Sequence, residues 1–263
     1  MDESRRTFLK IAGLSALGFV AKPAFDAMAA GAQSQFAANE KALTAKRWAM
    51  VVNLQKFKES GQAQMQRCIE ACHIIHNVPD MGNPKDEVKW IWTEPFEHAF
   101  PEQESESVHD FTKESLKGLP ALVLCNHCDN PPCVRVCPTK ATWRREDGIV
   151  MMDMHRCIGC RYCMAACPFG ARSLNWRDPR PFIKNVNKEY PTRTRGVVEK
   201  CTFCFERLAV GLQPACVEAC KNKELVFGDL EDPNSEVRQI LRAHFGLRRK
   251  PQLGTRPQVY YIV

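Results

Sequence analysis

Twelve of the fourteen cysteines in this 263-residue chain fall into three tight groups. Cys125, Cys128, Cys133 and Cys137 are spaced C-x2-C-x4-C-x3-C, with Pro138 next. Cys157, Cys160, Cys163 and Cys167 are spaced C-x2-C-x2-C-x3-C, with Pro168 next. Cys201, Cys204, Cys216 and Cys220 are spaced C-x2-C-x11-C-x3-C, and Cys68 and Cys72 stand alone upstream. The second spacing suits a [4Fe–4S] cluster. Three thiolates within seven residues wrap three corners of one cubane, and the fourth turns away to a neighbouring cluster. Such motifs therefore work in pairs. Pairing the first two groups assigns Cys125, Cys128, Cys133 and Cys167 to one cluster (site A). It assigns Cys157, Cys160, Cys163 and Cys137 to another (site B).

Two other uses of cysteine compete with this one. Disulfide scaffolds are short chains, and this one is long. Zinc is the stronger rival, because C-x2-C pairs build tetrahedral zinc ribbons. Around a single tetrahedral ion the 157–167 run would leave a thiolate over. For the 201–220 group taken alone, zinc stays open. A CxxCH haem attachment pattern, a Walker loop and a GxGxxG are all absent.

The elements that must position these thiols are short. Ala141 to Met152 reads as a hairpin turned at Asp147-Gly148. Asn234 to His244 reads as one helix, and Gln258 to Val263 alternates as a closing strand. Residues 77–118 read as a long loop rich in acid (Glu94, Glu97, Glu102, Glu104, Glu106, Asp110, Glu114). It also holds Trp90, Trp92, Phe96 and Phe100, and loops of this kind serve as docking surfaces or as solvated insertions. His127 reads as a loop histidine satisfied by backbone, and His73 and His76 as packing or capping groups. Arg135, Lys140, Arg156, Arg161 and Lys200 stand near ligands in sequence, where positive charge or hydrogen bonds would raise cluster potentials or equally serve to neutralise cluster charge.

At 44% hydrophobic and 25% charged residues the composition is that of a globular protein, with a formal net charge of +7. Ser4-Arg5-Arg6-Thr7-Phe8-Leu9-Lys10 precedes an apolar run from Ile11 to Ala21, then Ala27-Met28-Ala29. This layout predicts an export signal over residues 1–29, and the paired arginines specify the twin-arginine route. Cleavage after Ala29 removes four basic and three acidic residues and leaves +6. Three clusters of roughly −2 each would cancel that excess, so a nucleic-acid partner is not expected. Beyond the first twenty residues no apolar run approaches the ~18 needed to span a bilayer.

The order of the groups, with Cys-Asn-His-Cys-Asp-Asn-Pro-Pro-Cys at 125–133 and Arg-Cys-Ile-Gly-Cys-Arg at 156–161, resembles a known family. It is that of the four-cluster ferredoxin-like electron-transfer subunits of membrane-associated respiratory complexes. The resemblance implies an α+β fold of two interleaved bacterial-ferredoxin-like modules, with short hairpins and helices around the clusters. The expected divisions are a signal at 1–29, a depleted first motif with the acidic insertion at 30–118, a central module at 119–176, and the third motif with a closing helix and strand at 177–263. The twin-arginine signal, the depleted first motif and Val150 to Cys157 resemble more narrowly the periplasmic iron–sulfur subunits of Dsr complexes, linked to dissimilatory sulfite reductase.

In the four-cluster pattern the outer motifs pair as the inner two do. Here Val51 to Lys56 reads as the strand leading into the first motif, Phe57 stands where its first cysteine is expected, and 61–65 reads as polar loop. The resemblance then implies that Cys72 crosses to Cys201, Cys204 and Cys216 (site C), for three [4Fe–4S] clusters in all. Cys68 and Cys220 face a vacant fourth site as a disulfide or as two buried thiols, and Lys221 replaces the proline of the other motifs. By resemblance the partners are an integral-membrane quinone-interacting subunit and a periplasmic multihaem cytochrome c. The function is one-electron relay in sulfite or sulfur metabolism, without bond-making catalysis. The same subunit type in a molybdopterin reductase is the first alternative, and an exported zinc-binding interaction protein the second.

Overall fold

The structure, a computed structural model, describes residues 37–101 and 116–263. The export signal and the acids from Glu102 to Glu114 lie outside the described residues. Strand β1 (Trp48–Asn53) is apolar and β-branched, as a strand buried on both faces requires. It lies at the centre of a four-stranded sheet of order β8-β1-β10-β9, with β8 at Leu225–Asp229, β9 at Gly246–Leu247 and β10 at Val259–Ile262. Met50 pairs with Val259 of β10 in parallel and with Phe227 of β8 antiparallel. The two ends of the described chain are thus tied together in one sheet.

β1 ends one residue beyond the apolar run, because Asn53 caps a helix: its side chain accepts from Lys56 N at 2.9 Å. Leu54 to Lys56, expected as strand, therefore belong to α1 (Leu54–Ser60). The expected polar loop at 61–65 is also largely helical. Gly61, at φ +79°, separates α1 from α2 (Gln62–Ile75), and Gln62-Ala63-Gln64-Met65 are good helix formers that continue into the Cys68–Cys72 segment.

Residues 77–118 do not form one loop. Ile91–Pro95 is strand β2, paired antiparallel with β3 (Pro120–Leu124) with Ile91 opposite Leu124, and Phe96–Ala99 is a single turn, α3. Trp90, Trp92, Phe96 and Phe100 are all buried, so these aromatics build core rather than a docking face. Each buried aromatic contributes on the order of 2 kcal/mol or more of apolar burial, more than a solvated loop could offer. The 141–152 hairpin forms as expected: β4 (Thr142–Arg144) pairs with β5 (Val150–Met152) around Gly148 at φ +88°. A two-residue ladder joins β6 (Ser173–Leu174) to β7 (Val198–Glu199). Four single turns follow the cysteine loops: α4 (Pro132–Arg135), α5 (Tyr162–Ala165), α6 (Phe205–Leu208) and α7 (Ala215–Glu218). Helix α8 (Glu236–Ala243), capped by Ser235, packs Val237 against β8. The closing helix and strand lie where the sequence pattern places them. No described helix is long and apolar enough to cross a membrane.

Candidate iron–sulfur sites

The three C-x2-C loops share one backbone device. The residue just before the second cysteine is left-handed in each: His127 at φ +40°, Gly159 at +66° and Phe203 at +54°. That conformation curls the loop so that two thiols converge. Gly159 suits it at no cost, and a Cβ there would collide with the Gly196 carbonyl oxygen. His127 and Phe203 carry the strain of a non-glycine residue, and their rings offset it by stacking on each other at 3.7 Å between centroids. A second left-handed residue recurs three positions after the last cysteine of each group, at Lys140, Gly170 and Lys223. The 201–220 group keeps this turn although Lys221 stands where the other two have proline.

The turns bring the thiols into sets. Burial pushes the Cys204 thiol well above its ordinary value, and Glu206, Cys216, Cys72 and Cys201 add their charges to the shift. Cys72 is raised by burial and then by Cys201 and Cys216. Cys72, Cys201, Cys204 and Cys216 are all buried. Cys128 is likewise raised by burial, then by Cys125, Cys133 and Cys167. Cys137, Cys157, Cys160 and Cys163 line one cavity with Ile158, Arg161 and Val198. Of these four only Cys163 is buried, so site B is the most open of the three. Cys68 and Cys220 pair with each other, Sγ to Sγ at 2.8 Å, and Cys220 also adds to the upward shift of the Cys216 thiol.

Two buried cations lie at the junctions. Arg172 donates from Nη2 to Cys133 Sγ at 3.0 Å and to Thr142 Oγ1 at 2.9 Å. Burial opposes its charge, but Cys133, Cys163 and Cys125 outweigh that and hold its pKa up, so it faces sites A and B together. Lys200 is fully buried; its ammonium donates to the carbonyls of Val150 and of Cys201, the latter at 2.6 Å. Burial pushes Lys200 down while Cys125, Cys201 and Cys133 act against the shift, which puts it between sites A and C. Among the described residues neither cation is paired with a carboxylate. A buried charge without a counter-charge costs several kcal/mol. Anionic clusters held by the adjacent thiolates would supply that counter-charge, so the residues present fit [4Fe–4S] groups.

Behind site C lies a third polar layer. His76 bridges the Cys72 carbonyl oxygen (Nδ1, 2.8 Å) and Glu206 Oε1 (Nε2, 2.8 Å), and stacks on Trp90 at 4.6 Å between centroids. Arg193 pairs with Glu199 at 2.6 Å, both fully buried, and Trp90 Nε1 donates to Glu199. These contacts lock the segment that delivers Cys72.

Several expectations about individual residues need adjusting. His127 is satisfied by backbone at one nitrogen only, Nδ1 accepting from Val150 N at 3.1 Å while the buried Nε2 has no hydrogen-bond partner among the described residues, and His76 packs as expected. Of the five basic residues near ligands, Arg135, Lys140, Arg156 and Arg161 are exposed and only Lys200 is buried, since a chain neighbour of a ligand loop can still face water. Arg172, Arg193, Glu199 and Glu206 do not stand out in the sequence. The one signal for Glu206 is its place two residues after Cys204; Arg172 has only its position five residues beyond Cys167.

A family model described as a 4Fe-4S dicluster domain matches residues 120–180 and 185–230. The chain is 40% identical to the Hdr-like menaquinol oxidoreductase iron-sulfur subunit 1 of Archaeoglobus fulgidus, over 98% of this chain and 97% of that protein. It is 34% identical to a subunit of the tetrathionate reductase of Salmonella typhimurium, over 100% of this chain and 89% of the relative. It is also 34% identical to the menaquinone reductase iron-sulfur cluster-binding subunit of Nitratidesulfovibrio vulgaris, over 82% and 88%. With near-complete coverage at these identities and a buried thiol framework to match, the chain belongs to the family of [4Fe–4S] electron-transfer subunits of oxidoreductase complexes.

Proposed function

We propose that this subunit relays single electrons through three [4Fe–4S] clusters held by sites A, B and C. Its partners would be a membrane quinone-interacting subunit on one side and a periplasmic cytochrome c on the other, in a DsrO-like complex of sulfite or sulfur metabolism. Bound clusters supply one-electron carriers whose potentials follow the charges and hydrogen bonds around them. The chain's own part is to hold the thiolates, exclude water from A and C, and space the sites by shared cations. The observation that carries this reading is the pair of buried cations that no carboxylate pairs with among the described residues, Arg172 donating to Cys133 beside Cys163, and Lys200 donating to the Cys201 carbonyl beside Cys125. They support the order C–A–B, with the more open site B as the exposed end. Two interleaved ferredoxin-like modules fit the pairing of β1 with β8 and β10. The menaquinol and menaquinone relatives support a quinone-side partner. The paired arginines at 5 and 6 support twin-arginine export.

The tetrathionate reductase relative favours a second reading, the same relay beside a molybdopterin reductase. Subunits that co-purify would separate the two. For the relay itself, iron, zinc and acid-labile sulfide are counted in anaerobically purified protein. About twelve irons per chain are expected, four per cubane. About sixteen would mean a fourth cluster and a wrong ligand set at Cys68 and Cys220. Zinc without iron would end the electron-transfer reading.

A further inference from the structure

We infer that Cys68 and Cys220 form a disulfide that staples α2 to the segment after α7 and thereby secures site C. The two sulfurs stand 2.8 Å apart, with 152 residues of chain between them. Less than about 1 Å of motion brings them to the ~2.05 Å of a disulfide. Nothing else fits between them. Phe57, where the resemblance expects a cysteine, is 1% exposed and lies in the same apolar core as Cys68. Gln64 Nε2 spans the remaining gap, donating to the Ala219 carbonyl at 2.9 Å with Cys68 Sγ at 3.9 Å.

Placement gives the bond its consequence. Cys68 lies one helical turn before Cys72 on α2, and Cys220 lies four residues after Cys216, just beyond α7. Cys72 and Cys216 are the two site C thiols brought from segments farthest apart in the chain. A covalent link four residues from each would hold both in place before a cluster is loaded, and would limit the opening of α2 from α7 through which iron is lost. The inference rests on the proposed assignment of Cys72 and Cys216 to site C.

Formation of the bond needs a disulfide-bearing oxidant. Cys220, the partly exposed member, attacks the oxidant's S–S bond as its thiolate and expels one oxidant thiol. Cys68, fully buried, then attacks the mixed disulfide and expels the second. Two protein thiols become one disulfide, the oxidant disulfide becomes two thiols, two electrons pass to the oxidant, and the two protons lost by the protein thiols are taken up by its sulfurs.

The test uses cluster-loaded protein, incubated anaerobically with 2-hydroxyethyl disulfide and then denatured in chelator and N-ethylmaleimide. All fourteen cysteines should alkylate before oxidation and twelve after it. Iron content should not change, and one reducible peptide should link Cys68 to Cys220. Chelator should then withdraw about a third of the iron several-fold more slowly from the oxidised protein than from the reduced protein. The C68S/C220S double variant should show the fast rate under both conditions. Fourteen alkylated thiols with iron retained, a link to any other cysteine, or equal release rates would overturn the staple. Absence of iron at the outset would instead overturn the electron-transfer reading, while the thiol count still reports on the pair.

Discussion

Replacing Arg172 by glutamine should lower the potential of the cluster at site A, and of site B to a lesser degree. The guanidinium lies 3.0 Å from Cys133 Sγ and is shared with Cys163. Reduction adds one negative charge to a cluster, so a fixed neighbouring cation favours the reduced state. At roughly 5 Å from the added charge and an effective dielectric near 20, Coulomb's law gives about 3 kcal/mol. With 1.4 kcal/mol equal to about 59 mV for one electron, that is about 140 mV. Spread of the added charge over the cubane and relaxation of the site reduce this, so a fall on the order of 50–120 mV is expected. Arg172→Lys keeps the charge but loses the planar guanidinium whose Nη2 donates to both Cys133 and Thr142, and should recover more than half of the shift. The assay is an anaerobic potentiometric titration followed by electron paramagnetic resonance, with iron counted on the same samples. If iron is retained and every midpoint stays within about 20 mV of the parent, Arg172 is not the shared counter-charge and the C–A–B order loses its main support.

Three further outcomes follow from the same geometry. Cys160→Ser should remove about four irons and stop electron flow through the complex, whereas Cys68→Ser should leave the iron count of freshly purified protein near twelve; equal counts in the two variants would refute the ligand assignment. Gly159→Ala drives a Cβ into the Gly196 carbonyl at φ +66°, so it should selectively destroy site B, seen as about eight irons remaining rather than twelve. Phe203→Ala removes a fully buried ring and its stack on His127, and should cost about 3–5 kcal/mol, read as a lower thermal midpoint of the loaded protein. A loss under about 1 kcal/mol would mean the stack does not support the strained loops.

What is legible in the sequence is local, and what is not is the meeting of distant segments. The hairpin at 141–152 announces itself through Asp147-Gly148, and β10 through its alternation, because both signals lie within a dozen residues. The same holds for the C-x2-C groups, whose spacing is itself the constraint. Around Phe57 and 61–65 the missing cysteine masks a run of helix formers, and Asn53 as a cap is the signal that reveals the helix. Trp90 looks like loop because its partners, Glu199 at 2.9 Å and the His76 ring, come from elsewhere in the chain. Arg172 is invisible for the same reason. An arginine in a sequence reads as surface until something anionic is shown to surround it.

The 201–220 group keeps the turns of the other two groups without their proline. Its loop retains the left-handed residue before the second cysteine and the left-handed residue three past the last, as in the two groups with full spacing and proline. Lys223 holds that final turn without help from Lys221, so proline is not what sets it. The turn is needed to reverse the chain from α7 into β8, the strand that pairs with β1 from Trp48 through Val52. The central sheet therefore preserves the turn for its own sake, whatever Cys220 ligates. Cys68 and Cys220 approach to 2.8 Å across these same segments. The elements that bring them together are those that also present Cys72 and Cys216.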